Sequence, residues 1–237
     1  MSEAIVGIVG GMGPESTIDL MKKIFDATPA AREQDHIHLI ADSNPKIPDR
    51  AWSIVGGGES PVPVLCDSVR RLTAAGADLI VIACNTAHVY YDEMQAATTV
   101  PILHMIELCV RHAAEQCPGG STVGLLATTG TVKAGLYGRA LRAKGLSAIM
   151  PDSAGQDELM DAIFGERGIK LGYLQENRPR VAALGRELMD RGAAAVIAGC
   201  TEIGLVLADC DFPAVDPLRL LADEVVRRVK GDAASKE

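Results

Sequence analysis

The 237-residue sequence has no excess of basic charge: 23 Lys and Arg stand against 31 Asp and Glu, a formal net charge of −8. Without a basic footprint to displace phosphate counterions, sequence-independent grip on nucleic acid is excluded, and an anionic ligand would need a local positive pocket. No apolar run approaches the roughly 18 residues that span a bilayer. The start, Met1-Ser2-Glu3-Ala4, lacks the basic flank of a secretory signal. A soluble, cytoplasmic protein with no membrane partner is expected. The six cysteines, at 66, 84, 109, 117, 200 and 210, include no C-x-x-C pair and are too sparse for a disulfide scaffold, so reduced thiols are expected. The glycine-rich stretch Gly10-Gly11-Met12-Gly13-Pro14 has Ser16 where a dinucleotide loop would put its third glycine, and no Walker lysine follows. What is present, 48% hydrophobic and 23% charged residues, describes a folded globular protein of one large domain or two small ones.

Apolar runs of strand length alternate with amphipathic segments of helix length. Residues 5–9, 37–41, 79–83, 102–105, 123–127, 147–150, 194–198 and 214–215 read as strands. Segments 16–27, 62–75, 134–144, 156–164 and 178–191 carry helical spacing, and 218–230 reads as a closing amphipathic helix. Alternation with near-continuous apolar strands predicts an α/β fold of parallel sheets covered by helices.

The plan occurs twice. Val6-Gly7-Ile8-Val9 with Gly13 matches Val123-Gly124-Leu125-Leu126 with Gly130 at an offset of 117, and Asp42-Ser43 matches Asp152-Ser153 at 110. Gly76-Ala77 matches Gly192-Ala193 at 116, each glycine followed eight residues later by a cysteine, Cys84 or Cys200. Val100-Pro101 has a counterpart in Phe212-Pro213. A duplicated half is the reading, with lobes of 1–115 plus 214–237 and of 116–213.

In open parallel sheets ligands collect beyond the carboxyl ends of strands, which is where both matched cysteines are expected. If the lobes are related by a pseudo-twofold axis, the two thiols approach a shared cleft from opposite sides. Cys84-Asn85-Thr86-Ala87-His88 and Cys200-Thr201-Glu202 place each thiol at a strand-to-helix turn, where helix N–H groups favour negative charge and lower a thiol pKa. A free cysteine is otherwise a small buried hydrophobe, the reading assigned to Cys66, Cys109, Cys117 and Cys210. Cys84 with His88 has the i, i+4 spacing of a metal pair but no third and fourth ligand nearby, so no metal is expected. The backbone after Gly10, and Thr128-Thr129-Gly130-Thr131 in the second half, can turn N–H and hydroxyl groups toward a carboxylate.

With these segments in view, the chain resembles the aspartate/glutamate racemase family, closest to its aspartate racemase branch. The resemblance lies in 10–17 (GGMGPEST), 44–50 (NPKIPDR), 83–88 (ACNTAH), 126–131 (LATTGT), 169–172 (IKLG) and 198–203 (AGCTEI), spread over nearly the whole chain. It implies two similar Rossmann-like lobes with the active site between them, no cofactor, a homodimer, and Cys84 and Cys200 as a catalytic thiol/thiolate pair. It also implies that Arg50 and Lys170 meet the side-chain carboxylate of a small anionic amino acid. Met12, Gly13, Asn85, Thr86, Thr128, Thr129, Thr201 and Glu202 would hold its α-carboxylate and amine. An arginine can grip a carboxylate bidentately inside a protein whose net charge repels it. The expected reaction is interconversion of L- and D-aspartate by 1,1-proton transfer, with glutamate or broad acidic specificity as the alternative. Hydantoin racemases and malonate decarboxylases share the two-lobed plan. A non-catalytic two-lobed binding protein is the reading from outside the enzymes.

Overall fold

Val6–Gly10 (β1), buried at every position, is the middle strand of a parallel sheet ordered β2-β1-β3, with Leu39–Ser43 (β2) and Leu79–Ile82 (β3) at its sides. Ile102 adds a single parallel bridge to Ile80 on the far side of β3. A second parallel sheet runs β5-β4-β6-β7, built from Thr122–Leu126 (β4), Ser147–Ile149 (β5), Val196–Ala198 (β6) and Ala214–Val215 (β7). The structure, a computed structural model, describes residues 4–231. Its helices are Pro14–Ala27 (α1), Arg50–Ile54 (α2), Val62–Ala74 (α3), Tyr91–Ala96 (α4), Met105–Gln116 (α5), Thr129–Ala134 (α6), Leu136–Ala143 (α7), Ser153–Phe164 (α8), Leu174–Asp190 (α9), Thr201–Leu207 (α10) and Pro217–Lys230 (α11). The α/β class with two parallel sheets is thus as expected.

The duplication is visible in strand register. Gly7 pairs with Ile80 in the first sheet as Gly124 pairs with Val196 in the second, 117 and 116 residues on. A Cβ on Gly7 would lie 3.2 Å from Leu72, and one on Gly124 3.1 Å from Leu188, its counterpart. The two helices carrying those leucines end identically: Gly76 and Gly192 both have φ of +90°, and the next N–H returns to the leucine carbonyl at 3.1 and 3.0 Å. That six-to-one closure needs a left-handed residue, which glycine adopts at least cost.

By internal contacts the described residues divide into 4–49, 59–105 and 218–231 as one unit, and 50–58 with 106–217 as the other. Three short stretches, 50–58, 106–115 and 214–217, therefore lie in the unit opposite to the one expected. For the last the reason is plain: β7 takes its ladder from β6. The segment 102–105, read as a strand, contributes only Ile102, and Met105 opens α5, a helix not anticipated. In the first unit α1 and α3 both pack on β1 and β2, and α3 shares a core with Val9 and Ile82 through Leu65 and Val69. In the second, α9 packs on β4 and β6 around Leu126, Val181, Leu188 and Val196.

The glycine-rich turn after β1 is tight for a specific reason. Gly11 has φ of +88°, and a Cβ there would stand 2.4 Å from the backbone of Asn44. Both the conformation and the space exclude a side chain. Gly11→Ala should destabilise the protein by about 1–3 kcal/mol, seen as a lower urea midpoint. An unchanged midpoint would contradict this close approach.

Candidate active site

Cys84 stands two residues beyond the end of β3, and Cys200 two beyond the end of β6, the equivalent strand of the other sheet. Each is nearly buried, at 5% and 6% exposure.

In the first unit, the N–H of Ala83 still bonds the Val9 carbonyl at 2.9 Å, so the β3 ladder holds the backbone just before Cys84. Asn85 and Thr86, both buried, open a single 3₁₀ segment, Thr86–Tyr90. The Cys84 carbonyl lies 2.8 Å from His88 Nδ1, and the N–H of Met105 donates to His88 Nε2 at 3.2 Å. A backbone N–H can only donate, so Nε2 is bare and Nδ1 carries the proton. Burial, and then the neighbouring His104, push the imidazole down to about 3. His88 is therefore a neutral tie between the Cys84 turn and the start of α5, with both ring nitrogens engaged by backbone.

The turn from Gly10 to Thr17 belongs to the same unit. Gly11 N–H donates to Thr17 Oγ1 at 2.8 Å, and that hydroxyl donates to the Gly13 carbonyl at 3.3 Å. Gly13 sits at the N-cap of α1 behind buried Met12, where it has no side chain to lay over the helix N–H groups. Ser16, in the first turn, is fully buried and its Oγ has no hydrogen-bond partner among the described residues. A buried hydroxyl left unbonded is costly, which makes Ser16 a donor available to a ligand oxygen.

In the second unit Cys200 is the N-cap of α10 and donates its thiol proton to Glu202 Oε2 at 3.0 Å. Thr201 Oγ1 donates to the same oxygen at 3.0 Å, and Lys170 Nζ meets Oε1 at 2.5 Å. Burial favours the neutral form of Glu202, but Lys170 outweighs it, then the Cys200 thiol, and the carboxyl is held down at about 2. The expected depression of the thiol is reversed at Cys200. Burial first, and then the adjacent Glu202 charge, push it well above the usual thiol value, with Lys170 opposing. A helix N-terminus offers only partial charge, which a full carboxylate at contact distance overrides. In this state Cys200 is a protonated thiol. Tyr137, fully buried and hydrogen-bonded to Cys109, lies electrostatically within reach of it.

Thr128 caps α6, accepting from the Thr131 N–H at 3.3 Å, while Thr129 Oγ1 accepts from Gln156 Nε2 at 3.3 Å. Arg50 opens α2, which packs on α6. A Cβ on Gly130 would stand 2.7 Å from Ala51 Cα, so glycine at 130 is what lets the Arg50 helix approach the threonine turn. The second unit thus brings Arg50 to the Thr128-Thr129 turn and joins Lys170, Glu202, Thr201 and Cys200 in one cluster. The first unit carries Met12, Gly13, Cys84, Asn85 and Thr86.

Residues 9–225 match the family model described as Asp/Glu/Hydantoin racemase. The chain belongs to this racemase family. It is 29% identical over 230 residues to the broad specificity amino-acid racemase RacX of Bacillus subtilis (strain 168), covering 94% of this chain and 96% of that one. Among solved structures it is similar to Picrophilus torridus aspartate racemase, with a TM-score of 0.84 and 29% identity, covering 99% of this chain and 95% of that chain. An aspartate racemase homologue from Pyrococcus horikoshii OT3 superimposes with a TM-score of 0.74 at 27% identity, covering 97% of this chain and 100% of that chain.

Within the two units three supporting residues stand out, His88, Gln156 and Asn177. His88 fastens the Cys84 turn through both ring nitrogens. Gln156 Nε2 also donates to the Ala127 carbonyl at 3.0 Å, bracing the threonine turn from α8. Asn177 holds the loop that carries Lys170. Of the three, His88 lies in the motif segment 83–88. Gln156 and Asn177 carry no signal in sequence beyond being polar residues on amphipathic helices.

Proposed function

We propose that this amino-acid racemase interconverts the enantiomers of an acidic amino acid, aspartate foremost, without a cofactor, using Cys84 and Cys200 as a two-thiol proton relay. One cysteine as thiolate removes the α-proton, breaking C–H and forming S–H, while the other as thiol delivers its proton to the opposite face of the carbon. The electron pair left on the carbon delocalises into the α-carboxylate, where N–H donors and threonine hydroxyls stabilise it. The observation that carries the reading is the equivalence of the two cysteines: same strand, same distance past its end, in two copies of one sheet. Arg50 and Lys170 are the cations proposed for the substrate side-chain carboxylate, Lys170 by exchanging part of its contact with Glu202. Met12, Gly13, Asn85, Thr86, Thr128, Thr129, Thr201 and Glu202 are proposed to hold the α-carboxylate and amine.

A second reading, broad specificity, is favoured by the similarity to RacX over nearly the whole chain. One methylene changes discrimination by only about 1–3 kcal/mol in an apolar pocket, so the two readings differ by a modest change in lining. Incubation with L-Asp, L-Glu and a neutral amino acid without added cofactor, followed by chiral chromatography, separates them. Aspartate turnover well above the others supports the first. Comparable turnover of all three supports the second, and no D-product from any of them sinks both.

A further inference from the structure

Lys170 lies on one 3₁₀ turn, Ile169–Leu171, in the connection between α8 and α9. Asn177, in the first turns of α9 and 1% exposed, donates through Nδ2 to the Arg167 carbonyl at 2.7 Å and to the Tyr173 carbonyl at 2.8 Å. A single amide thus pins both ends of the segment that carries the lysine. Its Oδ1 accepts from Arg180 Nη1 at 2.8 Å. Arg180 in turn reaches Glu158 at 2.5 Å and Asp161 at 2.7 Å on α8. The chemistry admits one orientation only: carbonyls accept, a guanidinium donates, and an amide between them must present nitrogen to the first and oxygen to the second. Aspartate would lack the donors and leucine both functions.

The hydrogen bonds matter here because packing is thin on the outer side. Asp161, Arg167, Glu176, Asn177 and Arg180 line an open cavity of about 540 Å³. On the inner side Ile169 is fully buried in the core, and the Lys170 ammonium meets the Glu202 carboxylate. The order of contacts is therefore Glu158 and Asp161 to Arg180, Arg180 to Asn177, Asn177 to the loop, Lys170 to Glu202, and Glu202 to Cys200.

We propose that Asn177, held in orientation by Arg180, is a positioning residue for Cys200, acting through Lys170 and Glu202. It touches no reacting atom. Its effect is to keep the Lys170 ammonium against Glu202, so that the carboxylate beside the thiol stays compensated and the thiol can ionise when the reaction needs it. The proposal rests on the two-cysteine reading above.

The test is a double-mutant cycle on the full-length protein, reading iodoacetamide alkylation of Cys200 at pH 8 by peptide mass spectrometry, with Cys84 in the same digest as the internal reference. Asn177→Leu and Lys170→Met should each slow Cys200 by about tenfold relative to Cys84, and the double variant should be no slower than Lys170→Met. The pH at half-maximal alkylation should move up in the single variants. A purely structural role for Asn177 would leave that midpoint in place and give additive losses; either result overturns the proposal, as does a Cys200 rate equal to or above that of the unmodified sequence. If Asn177→Leu does not fold, Arg180→Met removes the same orientation from a partly exposed side chain and enters the cycle in its place. The cycle needs no turnover. A non-additive cycle in a chain that racemises nothing supports the network and rejects the function, whereas additivity in an active racemase rejects the network and leaves the function.

Discussion

Cys84→Ser and Cys200→Ser are each expected to abolish racemisation of either enantiomer, with a loss of at least about 10²–10⁴-fold, the range that a positioned acid or base supplies. A serine hydroxyl keeps the shape and the hydrogen bond but ionises far less readily than a thiol, so it fails as base and is a poor acid toward a carbanion. Under the proposed relay, loss of one cysteine impairs both directions, because each transfer would use one partner as base and the other as acid. The asymmetry of their surroundings adds a second expectation. Cys200 donates to Glu202 and its ionisation is suppressed by burial and by that charge, so Cys200→Ser also removes the proton that the resting cluster holds ready. The measurement is initial-rate polarimetry with both enantiomers, joined to incorporation of solvent deuterium at Cα. Near-normal turnover in either variant would reject the two-thiol assignment.

Lys170→Met should produce a pH-dependent loss of stability. Glu202 has a side-chain exposure of 3%, and its ion pair with Lys170 is what keeps it charged. Removing one member of a buried pair leaves the other uncompensated, at a cost of about 3–5 kcal/mol. The sign follows from linkage. In the unmodified protein the Glu202 carboxyl is at about 2 against a model value of 4.5. Its contribution to stability is therefore fully present above 4.5 and is lost as pH falls toward 2. In the variant, burial is no longer opposed by Lys170, so the carboxyl moves up from its position in the unmodified protein and stability gains less as pH rises. The difference between the two proteins should be greatest near neutrality and should shrink steadily below pH 4.5. Taking the difference removes the other carboxylates, which both proteins share. Urea midpoints measured from pH 3 to pH 7 test this; a difference independent of pH would mean that the lysine is not holding a buried charge.

The candidate residues of the two units were unequally legible. Cys84 and Cys200 could be picked from six cysteines because the repeat gave them equivalent positions, and the strand register bears out that repeat. The other four show why repetition was needed: burial does not separate the classes, since Cys66, Cys109 and Cys117 are buried like the matched pair. The charge state of Cys200 was not legible. A helix N-terminus is visible in sequence, but the contact between a thiol and the carboxylate two residues on depends on side-chain rotation, and the direction of the shift on how deeply both are buried. Arg50 shows the same limit at a larger scale. Its motif marked it as a carboxylate clamp, yet its placement against the Thr128-Thr129 turn depends on Gly130 admitting a neighbouring backbone.

By itself the sequence determined the α/β class, the duplicated order of strands and helices, the net negative charge, and the two cysteines worth testing. These follow from periodicity, composition and repetition, which are local or translational properties of the chain. Tertiary structure alone decided that segment 50–58 belongs with the second unit, that His88 is a neutral backbone tie, and that Lys170, Glu202 and Cys200 form a chain of contacts braced by Asn177. Lys170 and Glu202 are 32 residues apart, and no local rule relates them. What joins them is the packing of α10 against α9 and against the turn that carries the lysine, which buries a carboxylate beside a thiol and brings the Lys170 ammonium to its charge.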